Sequence, residues 1–332
     1  MAWLCLGYLD RFPPAAGLAL TGWARGRPLE WVVHDETFGR RGLPGRQPAR
    51  LLEETTAGLR SLNGTAGDGE QRAPAARVAD RLASLGTPAP APHAVLVLFA
   101  GDPAGSGGSA GPVVREILAG GAGPGRLVDT AGIEVCVVDL GLRDDLPSVP
   151  GLAPRRIPDR PAGLTRQHVV RAMETGIEIA RDYYASGNGW LLGDVLTGDD
   201  DLASAISARL MDDATDPLEV LAACDGIEVA ALAGFIVGAR TLRAPVVLRG
   251  PGAAAATLVA STLAPACVAA CFPVGRPPAG APDPFGHLGL PVLLPDLSGD
   301  LADAAAVALP FLRAAAEDAH PTESVTTGSG TR

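Results

Sequence analysis

The stretch Gly189-Trp190-Leu191-Leu192-Gly193-Asp194-Val195-Leu196-Thr197-Gly198 runs directly into Asp199, Asp200 and Asp201. Two chemistries compete for it. A short apolar run ends at Gly193, a glycine-punctuated turn follows, and Leu202 to Met211 has the pattern of a helix. Strand, glycine turn and helix aim free backbone N–H groups and a positive dipole end at an anion such as phosphate. The three carboxylates are themselves favoured at a helix start, by about 0.3–1 kcal/mol each, so they can take the same donors and repel a phosphate. A phosphate cradle and an acidic helix cap both remain open. Magnesium is a poor fit, because three consecutive acids diverge in direction on a helix. His34, His93, His168, His287 and His320 have no metal-ligand spacing, so no metal or cofactor is expected. The glycines of Gly105 to Gly111 do not follow GxGxxG in a βαβ unit and predict a loop.

The elements that must position these residues follow a rhythm. Ala94–Ala100 is a continuous apolar run ending in Gly101-Asp102, and Val135–Val138 ends in Asp139. Trp190–Leu192 ends in Gly193-Asp194, Val246–Leu248 in Arg249-Gly250, and Val292–Leu294 in Pro295-Asp296. Uninterrupted apolar strands separated by helices predict a parallel sheet covered on both faces. Small and acidic residues at the strand carboxyl ends place the ligand crevice there. Thr165 is expected to cap a helix carrying Val169, Met173, Ile177, Ala180 and Tyr184 on one stripe and stopping at Ser186-Gly187. Asp216-Pro217-Leu218-Glu219 offers a capping acid, a proline at the first helical position and a glutamate at the third. Small residues in Gly226–Arg240 suit a helix lying close against a sheet. Helices are also predicted at Ala49–Leu62, Ala76–Leu85 and Leu301–Ala316, with Leu4–Leu9 and Trp31–Val33 as unattached strand-like pieces.

At 332 residues the chain can bury a full core, and its net charge of −10 disfavours nucleic acid and anionic membrane as partners. It contains no lysine, so neither a Schiff base nor a lysine contact to phosphate is available. Cys5, Cys136, Cys224, Cys267 and Cys271 form no CxxC pair and fit buried, reduced thiols in a cytoplasmic protein. Ala253 to Phe272 is explained by helix, proline stop and strand rather than by a membrane span.

Ala94–Asp102, Thr165–Ala180, Asp216–Ala239, Pro245–Ala260 and Ala305–Pro310 together resemble the nicotinate-nucleotide:dimethylbenzimidazole phosphoribosyltransferases of cobalamin lower-ligand synthesis. The likeness keeps one order over roughly residues 75–316. It implies residues 1–74 as a divergent N-terminal region and 75–316 as the transferase-like α/β domain, while the polar composition of 317–332 predicts a disordered tail. The implied fold is a doubly wound parallel sheet flanked by helices, with a smaller helical domain from the chain ends. The implied assembly is a homodimer, and the implied ligands are a nucleotide and an aromatic base without a cofactor. A benzimidazole nitrogen displaces nicotinate from nicotinate mononucleotide, with a glutamate near the C-terminus as general base.

Carried over by position, the resemblance assigns Gly193, Asp194 and Gly198 to the phosphate turn, with Arg249 on the same rim. It assigns Asp102, Ser109 and Pro112 to the base site. A middle glycine of the family turn is Leu196 here, and its two threonines are Asp200 and Asp201. The general-base position is Leu301, and Asp300 is the nearest carboxylate, to be read either as a replacement base or as a helix N-cap. A divergent transferase and a non-catalytic homologue acting as a binding or regulatory subunit are the two functional readings.

Overall fold

A computed structural model describes residues 32–33, 74–86, 90–105, 107–118, 132–144, 163–199, 201–212, 216–275, 281–295 and 301–319. The expected helix at 49–62 and strand piece at 4–9 lie outside these residues. Valine and leucine runs buried on both faces make the central strands β2 (His93–Gly101), β3 (Ile133–Asp139) and β4 (Asn188–Thr197). Shorter strands are β1 (Val32–Val33), β5 (Val246–Leu248) and β6 (Cys271–Pro273). Every pair is parallel, in the order β1-β3-β2-β4-β5-β6. This is the expected α/β parallel sheet, and Val32–Val33 attaches to its edge beside Val138 and Asp139.

The helices among the described residues are α1 (Pro74–Leu85), α2 (Gly111–Leu118), α3 (Arg166–Ala185), α4 (Leu202–Asp212), α5 (Pro217–Ala223), α6 (Ile227–Leu242), α7 (Gly250–Leu263), α8 (Pro284–His287) and α9 (Leu301–Ala319). Thr165 caps α3 through a reciprocal pair with His168, and Ser186-Gly187 ends it. The apolar stripe of α3 carries Val169, Met173, Ile177 and Ala180 as expected, but the fully buried tyrosine is Tyr183, with Tyr184 half-buried. Asp216 caps α5 by accepting from the Leu218 N–H, with Pro217 at the first turn. The segment 250–273 is indeed helix, a short 3-10 turn opened by Pro265, and strand. Helices α1 and α9, from the two ends of the described chain, pack on each other. Arg81 of α1 anchors that pair by donating to the Val268 carbonyl at 2.7 Å and to the Cys271 carbonyl, with its guanidinium over Phe272.

Two sequence expectations are corrected. Val292–Leu294 is not a strand: only Leu293 makes a parallel bridge, to Val274. The apolar run at Trp190 does not end at Gly193. The strand continues to Thr197, because Val195, Leu196 and Thr197 pair with Phe99, Ala100 and Gly101 of β2. The turn therefore begins at Gly198. Gly193 lies inside β4, where an added Cβ would stand 2.5 Å from Leu232 of α6. Its missing side chain lets helix and sheet approach.

Candidate functional site

The carboxyl ends of β2, β3, β4 and β5 form one rim, and the acids predicted there occupy it. Asp102, immediately after β2, is buried at 2% exposure. A carboxylate without water needs several donors, and three of them reach it. Its Oδ1 accepts the Ala110 N–H at 2.7 Å, while Oδ2 accepts the Ser109 hydroxyl and the Arg143 N–H, each at 2.9 Å. The Arg143 Nε stands 3.9 Å from the same Oδ2. Asp139, the last residue of β3, is likewise buried, and its Oδ1 takes the N–H groups of Gly141 and Leu142 at 2.8 Å. Both acids thus shape the loops that follow their strands.

The loop after β2 reaches across to the turn after β4. A Cβ on Gly198 would lie 2.5 Å from the Gly108 carbonyl oxygen and 2.8 Å from Asp102 Oδ1. Two glycines are required for that approach, one on each loop. Asp102 and Ser109, assigned from sequence to the base site, and Gly198, assigned to the phosphate turn, therefore meet in one place. Pro112 does not join them: it is exposed in the first turn of α2. The Ser109 hydroxyl also lies 3.3 Å from Asp144, which pairs with Arg115 at 3.2 Å.

A second group sits one strand further along. Leu248 pairs with Gly193, so Asp194 and Arg249 are the next residues on neighbouring strands, and both are half-buried. Arg249 is the N-cap of α7, whose first residue, Gly250, has φ +85° and lies close to Asp194 Oδ1. An added Cβ on Gly252 would come within 2.7 Å of Val195, so the first turn of α7 rests directly on β4. In the turn after β4, the Asp199 carboxylate accepts the Asp201 N–H at 3.0 Å and its carbonyl accepts the Leu202 N–H at 3.4 Å. These bonds close a turn immediately before α4 rather than capping its first turn. Asp300 lies outside the described residues, directly before α9.

Sequence reading missed Arg143 and Glu228. Arg143 follows β3 in the run Leu140-Gly141-Leu142-Arg143-Asp144, with no motif around it. Glu228 has 0% exposure in the first turn of α6 and packs against Gly101; the only sequence signal was an acid at a helix start. Burial pushes the thiols of Cys136 and Cys271 up to about 12, and that of Cys267 further still. None is a nucleophile at neutral pH. Among the described residues no cluster of histidine, cysteine, aspartate and glutamate is arranged to hold a metal ion.

A parallel α/β sheet with glycine turns and acids along its carboxyl rim belongs to the class of doubly wound folds whose ligand crevice lies at that rim. The family model described as phosphoribosyltransferase matches residues 78–215 and 200–327. The chain is 33% identical over 293 residues to the nicotinate-nucleotide–dimethylbenzimidazole phosphoribosyltransferase of Deinococcus radiodurans, spanning 71% of this chain and 80% of that protein. It is 30% identical over 194 residues to the Geobacter metallireducens protein of the same name, covering 46% of this chain and 55% of the relative. The matched region thus spans little more than half the length of that relative. The crystal structure of the Thermus thermophilus protein of that name superposes with a TM-score of 0.66 at 27% identity, covering 80% of this chain and 96% of that one. The chain belongs to the nicotinate-nucleotide–dimethylbenzimidazole phosphoribosyltransferase family.

Proposed function

We propose that this chain transfers the phosphoribosyl group of nicotinate mononucleotide to a benzimidazole-type base, the reaction that supplies the cobalamin lower ligand. The observation that carries the reading is the continuity of the family match, which runs through every rim loop from β2 to α9. In this reaction a ring nitrogen of the base attacks the ribose C1′, the bond from C1′ to the nicotinate nitrogen breaks, and nicotinate leaves. The proton on the other ring nitrogen passes to a carboxylate. Asp300, the carboxylate nearest the position where the family carries its glutamate, takes that role in this reading. Asp194, Arg249 and the start of α7 flank the phosphate, with Gly193 and Gly198 allowing the close approaches around them. Asp102 and Ser109 border the base. A homodimer in the cytoplasm belongs to the same reading; among the described residues no helix is long and apolar enough to cross a membrane.

The test is release of nicotinate and formation of the α-ribosyl phosphate when purified chain, nicotinate mononucleotide and dimethylbenzimidazole are combined. Asp300→Asn should lower turnover by about 10²–10⁴-fold, the range of a lost general base. An active enzyme indifferent to that change removes Asp300 from the mechanism. The second reading is a non-catalytic homologue serving as a binding or regulatory subunit. It is favoured by Leu301, which opens α9 where the family carries its glutamate. Absence of product, with the fold intact, selects it.

A further inference from the structure

The glycine loop between β2 and α2 is not left to its own flexibility. Its near end is held by the Ala104 N–H, which donates to Asp225 Oδ2 at 2.5 Å from the turn between α5 and α6. Its far end is held by Asp102, which takes the Ala110 N–H and the Ser109 hydroxyl. Between these ties, residues such as Gly105 and Gly107 have open space around them. One further contact bridges that stretch from another strand: the Arg143 guanidinium, after β3, donates to the Gly108 carbonyl. The same guanidinium approaches Asp102 to 3.9 Å, and Gly108 in turn abuts Gly198 at the end of β4.

We propose that Arg143 is a positioning residue of the base subsite: through Gly108 it sets the spacing between the loops after β2, β3 and β4, and so the affinity for the aromatic acceptor. This rests on the transferase reading above. A planar base bound against these loops is held more tightly when their backbone is ordered before it arrives. The Arg143 main chain is already tied to Asp102 by its own N–H, so removing the side chain leaves the buried acid satisfied. Truncation removes the bridge to Gly108 and the approach of the guanidinium to Asp102. The side chain is 47% exposed, so truncation leaves the core untouched. Arginine suits the task because its fork reaches a carbonyl and a carboxylate together, whereas a lysine ammonium is a single point.

The experiment compares the natural chain with Arg143→Ala and Arg143→Lys, using dimethylbenzimidazole and nicotinate mononucleotide as probes. Arg143→Ala should raise KM for dimethylbenzimidazole by about tenfold, the scale of one charge-assisted hydrogen bond. Both kcat and KM for nicotinate mononucleotide should stay within about twofold of the natural values, and Arg143→Lys should recover part of the loss. Amide hydrogen exchange gives a second, ligand-free readout. The amides of Gly105, Gly107 and Gly108 should exchange faster in Arg143→Ala, while the Ala104 and Ala110 amides, held by Asp225 and Asp102, stay protected. Turnover with an unchanged KM for the base, or unchanged exchange of the loop, overturns the role of Arg143 and leaves the transferase reading standing. No turnover by the natural chain overturns the transferase reading and the inference with it.

Discussion

Glu134, the second residue of β3, is a carboxylate placed where water hardly reaches. Its Oε2 accepts from Asn188 Nδ2 at only 3.5 Å, its Oε1 is buried without a hydrogen bond, and Asn188 spends its amide also on the Tyr183 carbonyl at 3.2 Å. Burial pushes the Glu134 carboxyl from 4.5 up to about 7, against a smaller opposing effect of Asn188. A glutamate raised in the folded state binds its proton more tightly folded than unfolded. Its neutral form therefore costs nothing below about pH 4.5, and stability is lost as pH rises through about 7. At 1.36 kcal/mol per pH unit the ionised group costs about 3 kcal/mol at alkaline pH. Glu134→Gln keeps the shape and the acceptor for Asn188 but never ionises. At about pH 8 the variant should be more stable than the natural chain by about 3 kcal/mol, which for a chain of this size is about 6 °C in melting temperature. Near pH 4.5 the two should differ by less than about 0.5 kcal/mol. Paired thermal melts at the two pH values provide the assay. An offset of equal size at both, or none at either, would refute the claim that ionisation of Glu134 is being opposed by its surroundings.

Gly234 of α6 lies against the Met173 backbone of α3, so Gly234→Ala should lower stability by about 1–3 kcal/mol, visible as a lower melting temperature. Gly107→Ala, with open space around the site, should change it by less than about 0.5 kcal/mol. The acids of the turn after β4 should weaken donor binding. Millimolar nicotinate mononucleotide is expected to shift the melting temperature of the natural chain little, and Asp200→Thr with Asp201→Thr to introduce a shift. A saturable site held at a hundredfold excess over Kd adds about 2.7 kcal/mol. A clear shift for the unmodified chain contradicts the repulsion argument, and no shift in either protein contradicts the placement of phosphate at this turn.

The pattern of residues along the chain was sufficient for the frame. Runs such as Ala94–Ala100 and Val135–Val138 are apolar on every position, which only a strand covered on both faces tolerates, and the caps at Thr165 and Asp216 are local hydrogen bonds between near neighbours. The rim acids were legible for the same reason, since Asp102, Asp139 and Asp194 follow or end such runs. Tertiary structure decided what lies across the sheet. Val195–Thr197 became strand because β2 offered partners, a choice that the glycines on either side of them do not encode. Gly193 looked like a turn residue and instead makes room for Leu232, and Gly108 and Gly198 meet although ninety residues of chain separate them. Arg143 carries no motif at all; its guanidinium matters only because β3 lies next to β2 and brings it within reach of Asp102 and Gly108. Periodicity and capping are properties of neighbouring residues, so a sequence displays them directly. Close approach and ion pairing between loops depend on strand order and register, which exist only once the sheet has formed.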